Sequence, residues 1–252
     1  CGRCPACEAG DPVGCLDRQA IGMVQDGAFA RYFLCPANYA FPLPAPVPIE
    51  LGALVEPLSV GAHALDVAGM KPGDRVLVFG PGPIGQGAAA LARAFGSADV
   101  AVVGMADAAR FGVLRAMGFE ALFDLAEPGA AEGLRDYAGQ GFDIVIEATG
   151  VPSVIDQGLA LLRPLGVLAV AGMAEKPATF DLMKLVKNRL QIRGVSRIPP
   201  SVWPTVIDAL AADPDAFAPL VTHRMPLSQA LEAFALCREG EASKILLVPE
   251  DG

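Results

Sequence analysis

From Arg75 to Val195 the chain alternates between two hydrophobic patterns. Short apolar runs rich in β-branched residues, such as Val76-Leu77-Val78-Phe79, show no polar alternation, which predicts parallel strands covered on both faces. Between them lie longer Ala- and Leu-rich segments with helical spacing. The reading predicts strands at Arg75 to Phe79, Asp99 to Val103, Ala121 to Phe123 (weak), Asp143 to Glu147, Gly166 to Ala171 and Leu190 to Val195. Helices are predicted after the first strand, at Asp107 to Met117, Ala131 to Tyr137 and Pro152 to Leu162, and near Leu182 to Lys187. Six strands with intervening helices point to an α/β chain with a doubly wound parallel sheet. A helix starting at Pro57 and stopping near Gly69 precedes it, with Leu58, His63, Leu65 and Val67 as inward candidates. The turn Lys71-Pro72-Gly73-Asp74 then delivers the chain into the first strand.

The flanks lack this rhythm. Gly27 to Leu43 mixes short apolar runs with Pro and Asn and reads as strands and turns of a small β-rich unit. Pro42 to Pro48 is too proline-dense for helix. Beyond Pro199-Pro200 the pattern predicts a helix at Ser201 to Ala212, a strand at Leu220 to His223, a helix at Ser228 to Arg238 and a strand at Lys244 to Val248. Such short strands need partners, so the tail is expected to rejoin the β-rich unit.

The clearest chemical signal is Gly80-Pro81-Gly82-Pro83-Ile84-Gly85, a G-x-G-x-x-G run between the first strand and an Ala-rich helix. In that setting Gly80 permits a sharp turn, Gly82 admits a pyrophosphate close to the backbone, and Gly85 lets helix and strand pack tightly. The phosphate charge would rest on the helix's free amides. Ala148, Thr149, Gly150, Gly172 and Met173 end later strands and should face the nicotinamide side of the same crevice.

Composition narrows the function. The 252 residues are 53% hydrophobic and 19% charged, enough for a substantial core. A net charge of −9 argues against nucleic-acid or anionic-membrane partners. The richest apolar stretch, Leu159 to Ala174, is interrupted by Arg163 and Pro164, so no membrane span is expected. The chain opens on Cys1 with neither initiator Met nor signal peptide, and is read as part of a longer polypeptide. Four of the six cysteines, Cys1, Cys4, Cys7 and Cys15, occur in the pattern C-x2-C-x2-C-x7-C. Thiols so close in sequence suit one tetrahedral zinc with no open position, hence a structural metal. A disulfide knot belongs instead to small secreted proteins, so a cytoplasmic location is expected. Cys35 and Cys237 stand alone and are expected to be buried and inert, and His63 and His223 to be hydrogen-bonded structural residues.

The cysteine lobe, Glu56-Pro57-Leu58-Ser59-Val60, Lys71 to Gly85 and the tail Val221 to Leu227 together resemble the zinc-containing medium-chain alcohol dehydrogenases, most of all the polyol (sorbitol-like) branch. The resemblance covers essentially the whole chain. It implies a Rossmann domain at 57–198, flanked by parts of a GroES-like β-rich catalytic domain at 1–56 and 199–252. Cys1, Cys4, Cys7 and Cys15 match the structural-zinc ligands. Glu56 matches the acid that approaches the catalytic zinc, and Arg197 an arginine of the substrate cleft able to bind a second hydroxyl or pair with Glu56. Val195 and Ser196 join the cofactor contacts. The family's Cys and His-Glu ligands of the catalytic zinc are not in this sequence, so these 252 residues alone are expected to bind cofactor but turn over poorly.

The activity this resemblance implies is an NAD(P)-linked, zinc-dependent oxidation of a secondary alcohol of a polyol, sugar or related small molecule to its ketone. A dimer or tetramer is implied by the family. The alternatives are a threonine or diol dehydrogenase of the same family and a non-catalytic dinucleotide-binding module or sensor. Cofactor choice stays open. The acid expected about twenty residues past the glycines is replaced by Gly104. Asp107 either reaches the ribose or caps the next helix, and Arg110 either meets a 2′-phosphate or lies on the helix surface. Ile198 stands where sorbitol-type enzymes carry tyrosine, leaving the substrate open as well.

Overall fold

Six parallel strands in the order β3-β2-β1-β4-β5-β6 form the centre of the chain, as seen in a computed structural model that describes residues 1–250. Along the sequence come α1 (Pro5–Glu8), α2 (Ile49–Gly52), α3 (Val55–Ala68), β1 (Arg75–Phe79), α4 (Pro83–Ala94), β2 (Asp99–Gly104), α5 (Ala108–Ala116) and β3 (Leu122–Asp124). They are followed by α6 (Ala130–Ala138), β4 (Phe142–Glu147), α7 (Ser153–Leu161), β5 (Leu162–Val170), α8 (Leu182–Asn188) and β6 (Gln191–Gly194). The tail holds α9 (Val202–Ala212), α10 (Pro214–Phe217), β7 (Val221–Pro226), α11 (Ala230–Glu239) and β8 (Lys244–Val248).

The strands are apolar throughout because both faces are covered. Val76 and Val78 of β1 point into a core shared with α3, α4 and α9. Leu77 and Phe79 point the other way, into a core shared with α6 and α7. At the strands' N-terminal end Arg75 bonds Asp99, and Tyr137 donates to Asp99 Oδ1 at 2.7 Å. Burial, aided by Asp99, pushes the Tyr137 phenol up to about 12.

Several expected boundaries move. α3 starts at Val55, not Pro57. Proline is tolerated there as the third helical residue because first-turn amides have no intrahelical acceptor. β5 starts at Leu162, which pairs with Phe142; ordered pairing resumes only at Val167, opposite Ile144. The intervening bulge contains Pro164 and Leu165, the latter at φ 70°.

The β-rich reading of Gly27 to Leu43 is wrong for the described residues: no strand forms there, only a 3₁₀ turn at Ala37–Tyr39. A strand needs a neighbour to take its ladder hydrogen bonds, and Tyr32 (81% exposed) and Leu34 (95%) have no such cover. The tail strands accordingly do not join such a unit. β7 and β8 pair in parallel with each other. The tail meets the N-terminal part instead through side chains, with Arg224 Nε 2.8 Å from Glu50 Oε2 and the Phe29 and Phe234 rings 6.0 Å apart. α9 stays with the sheet, burying Val206, Ile207 and Leu210 in the core beside α3.

Candidate functional site

The crevice lies at the C-terminal ends of β1 and β4, where the strand order reverses. The three glycines of the loop differ in geometry. Gly80 has φ 102°, and a Cβ there would lie 2.9 Å from Ala148 O. Gly85 is the packing glycine: a Cβ would come within 1.8 Å of Gly80 O. Gly82, at the N-cap of α4, has nothing within 4 Å of its Cβ position, so an approaching group meets bare backbone. Pro83 and Ile84 open α4, whose first-turn amides point into this space. Open space beside Gly82 and an uncapped helix start together fit a dinucleotide pyrophosphate. Across the crevice Gly150 (φ 70°) is packed against Met173, and Gly172 against Gly150 N. Val195 N donates to Val170 O, continuing the sheet toward Ser196.

Cys1, Cys4, Cys7 and Cys15 converge, with all four Sγ atoms within 4.8 Å of one another and Cys15 Sγ 3.6 Å from Cys1 Sγ. Zinc–sulfur bonds of about 2.3 Å in a tetrahedron place sulfurs about 3.8 Å apart, so the set fits zinc. The Cys7 backbone amide lowers the Cys4 thiol to about 7, favouring the thiolate a metal needs. None of the six cysteines is in a disulfide. Cys35 and Cys237 are exposed, correcting the expectation that they are buried.

A family model of zinc-binding dehydrogenases matches residues 83–212. The sorbitol dehydrogenase of Halalkalibacterium halodurans is 32% identical over 254 residues, covering 100% of this chain and 74% of that protein. That of Gallus gallus is 36% identical over 225 residues, covering 88% of this chain and 63% of that protein. The chain belongs to the zinc-containing medium-chain alcohol dehydrogenases. Among solved structures, L-idonate 5-dehydrogenase from Escherichia coli superposes with a TM-score of 0.85 at 28% identity, covering 98% of this chain and 72% of that one. The chain thus spans between 63% and 74% of the length of these relatives.

Placed in this dehydrogenase frame, the remaining candidates separate. Glu56 is exposed in the first turn of α3, and its carbonyl accepts from Ser59 Oγ at 2.6 Å. Among the described residues only the four cysteines form a convergent group of three or more ligating side chains, so Glu56 by itself does not make a metal centre. Arg197 (φ 56°) sends Nη1 to Val13 O at 3.2 Å, tying the end of the sheet to the cysteine lobe rather than pairing with Glu56. His223 is hydrogen-bonded through Nδ1 to Thr222 Oγ1 at 2.9 Å, as expected, whereas the buried Nδ1 of His63 has no partner.

At the end of β2, Gly104 is buried, with Met105 and Ala106 exposed after it. Asp107 does sit at the N-cap of α5, yet its carboxylate caps nothing there. It bonds Arg110 Nη1 at 3.1 Å and Met105 N at 3.4 Å.

The sequence reading overlooked Glu147. The residue is 1% exposed at the C-terminal end of β4. Oε1 accepts from Thr149 N at 2.6 Å, Thr149 Oγ1 at 2.5 Å and Gly150 N at 2.8 Å, shaping the turn that carries three of the predicted nicotinamide contacts. The available signal was a charge closing the apolar run Ile144-Val145-Ile146, immediately before Ala-Thr-Gly.

Proposed function

We propose that this protein is an NAD(P)-linked oxidoreductase acting on a secondary alcohol of a polyol, sugar or related small molecule. The observation that carries the reading is the glycine cradle, with open space at Gly82 and tight packing at Gly80 and Gly85. The loop would hold the pyrophosphate on backbone amides and the start of α4. Ala148 to Gly150, Gly172, Met173, Val195 and Ser196 would position the nicotinamide, with Glu147 fixing the shape of the first turn. When bound, the nicotinamide cofactor takes up the hydride that the alcohol carbon releases. The four cysteines would hold a structural zinc that closes the N-terminal lobe. Glu56 would contribute one acidic group to a catalytic-metal site that these residues do not complete, and Arg197 a hydrogen bond to a substrate hydroxyl.

The division into 1–56, 57–198 and 199–252 belongs to the same reading. So does a homodimer or homotetramer, supported by the open outer edge of β6, where Ile192 is 37% exposed. A cytoplasmic location is supported by the free thiols. No helix among the described residues is long and apolar enough to cross a membrane.

A second reading is a dinucleotide-binding module without turnover, since among the described residues no group of three or more ligating side chains includes Glu56. A panel of polyols, diols and amino alcohols, assayed on the full-length protein with NAD and NADP by the absorbance of reduced nicotinamide, separates the two. Turnover lost on Glu56→Ala is expected. Cofactor binding with no turnover of any panel member overturns the enzymatic reading and leaves the module.

A further inference from the structure

We infer that the groove between α3, α4 and α9, at the end of the sheet away from the glycine loop, binds an elongated organic dication: an apolar chain with an ammonium group at each end. The inference is independent of the dinucleotide reading. α4 begins at the glycine loop, and its 12 residues carry the chain about 18 Å away from it. The far end of α4 lies at the N-terminal edge of the sheet, where Gly73 N donates to Gly96 O at 2.8 Å just before β1.

Two hollows make up the groove. The first, of about 480 Å³, lies between Ala90 and Ala94 of α4, Ala209 and Ala212 of α9, and Ala216 and Phe217 of α10. The second, of about 400 Å³, lies between Ala62 and Leu65 of α3, Met70 beyond it, and Val202 of α9. Phe95 and Thr205 line both, so the hollows adjoin across these two side chains. The sequence explains the gap: α4 and α9 meet across the first hollow with alanines, whose methyl groups are too short to fill it. The floor belongs to the core, since Ala62, Leu65, Ala90 and Phe217 are all buried there. Each hollow has the size of a small-molecule site, and its floor favours hydrocarbon.

The rim supplies the charge. Asp208 stands at the first hollow and Asp66 at the second. Both are exposed, and neither carboxylate has a hydrogen bond or ion pair to any described residue. Asp213, also at the first hollow, uses Oδ1 to accept from Ala216 N at 3.1 Å. Arg93, the cation among the lining residues, is engaged elsewhere. Its Nη1 and Nη2 donate to Gly118 O at 3.3 Å and Met117 O at 2.7 Å, and its guanidinium lies 4.1 Å from the centroid of the Phe119 ring. One unpaired carboxylate over each apolar hollow selects a ligand charged at both ends and apolar between them.

The test is calorimetric titration of the full-length protein with straight-chain aliphatic diamines of four to ten carbons, and with the monoamines of the same lengths. The diamines are expected to bind at least about threefold more tightly than the matching monoamines, and to lose affinity as salt rises. Asp66→Asn and Asp208→Asn should each weaken the diamines about threefold and the monoamines by less than about twofold. Ala212→Phe, at an exposed position, should fill the first hollow and weaken the diamines about tenfold. Glu132→Gln, on α6 across the sheet, should change neither. Equal binding of diamines and monoamines, or an equal loss in Glu132→Gln, is the general attraction of an acidic protein for cations and overturns the inference. Binding that Ala212→Phe leaves unchanged does the same, as does the failure of every diamine to bind.

Discussion

Glu147 shows how much a single buried charge can organise. Three donors converge on one carboxylate oxygen, and all three belong to the turn proposed to face the nicotinamide. Removing the buried acid leaves these part-buried donors without their acceptor, and each is costly to leave unmet. Glu147→Ala is therefore expected to destabilise the protein by about 2–4 kcal/mol, and Glu147→Gln, which keeps a neutral acceptor, by about 1 kcal/mol. Denaturant unfolding checks both values. A loss below about 0.5 kcal/mol for the alanine variant would mean that the turn holds without it. The glycines were readable residue by residue because each answers a local backbone demand. Glu147 was not, since a charge at a strand end is commonplace until the partners around it are known.

At the scale of elements, α3 and α4, the two helices that bracket β1 on one face, meet at close range. Their contact runs through glycines. A Cβ at Gly61 would lie 2.7 Å from the Ala88 backbone nitrogen, whereas one at Gly87 would meet only the end of the Leu58 side chain, at 2.8 Å. Backbone cannot yield as a methyl group can. Gly61→Ala should cost about 2–4 kcal/mol by forcing the helices apart, outweighing the gain of about 1 kcal/mol from better helix propensity. Gly87→Ala should fall within about 1 kcal/mol of neutral, because Leu58 can change rotamer while the helix gains propensity. Thermal unfolding of the two variants side by side tests the contrast, and equal losses would contradict it. The alternation of strands and helices was legible at this scale, since burial on both faces leaves unbroken apolar runs. The bulge before Val167 was not, because it depends on Phe142 reaching Leu162 across the sheet.

For the molecule as a whole, stability is unevenly distributed. Two contiguous cores cover the sheet, and most of their members lie between Val47 and Val221. Of the first 46 residues, only Cys15 is a buried hydrophobic among those described. A lobe with so little apolar burial needs another source of order, and four converging thiols provide one. Zinc analysis should therefore find one tightly held ion per chain at this site, lost in Cys4→Ser. Chelation is expected to raise hydrogen exchange across residues 1–21 while β1, β2 and β4 keep their protection. Uniform loss of protection would show instead that the lobe and the sheet unfold together.

The sequence alone determined the elements of the sheet, the place of the phosphate loop and the set of four cysteines. Each is written in spacing over a few residues, where periodicity, backbone freedom and ligand geometry act locally. Tertiary structure decided which partners the charged side chains found. Arg197 reaches back to Val13 and Arg224 to Glu50. Asp107 turns to Arg110, and Pro81 closes over Gly104. It also decided that Gly27 to Leu43 forms no strands, since a strand is a property of two segments and no strand among the described residues pairs with this one. The absence of an acid at Gly104 is visible in the sequence, but the reason that no side chain fits there is the ring of a proline more than twenty positions earlier.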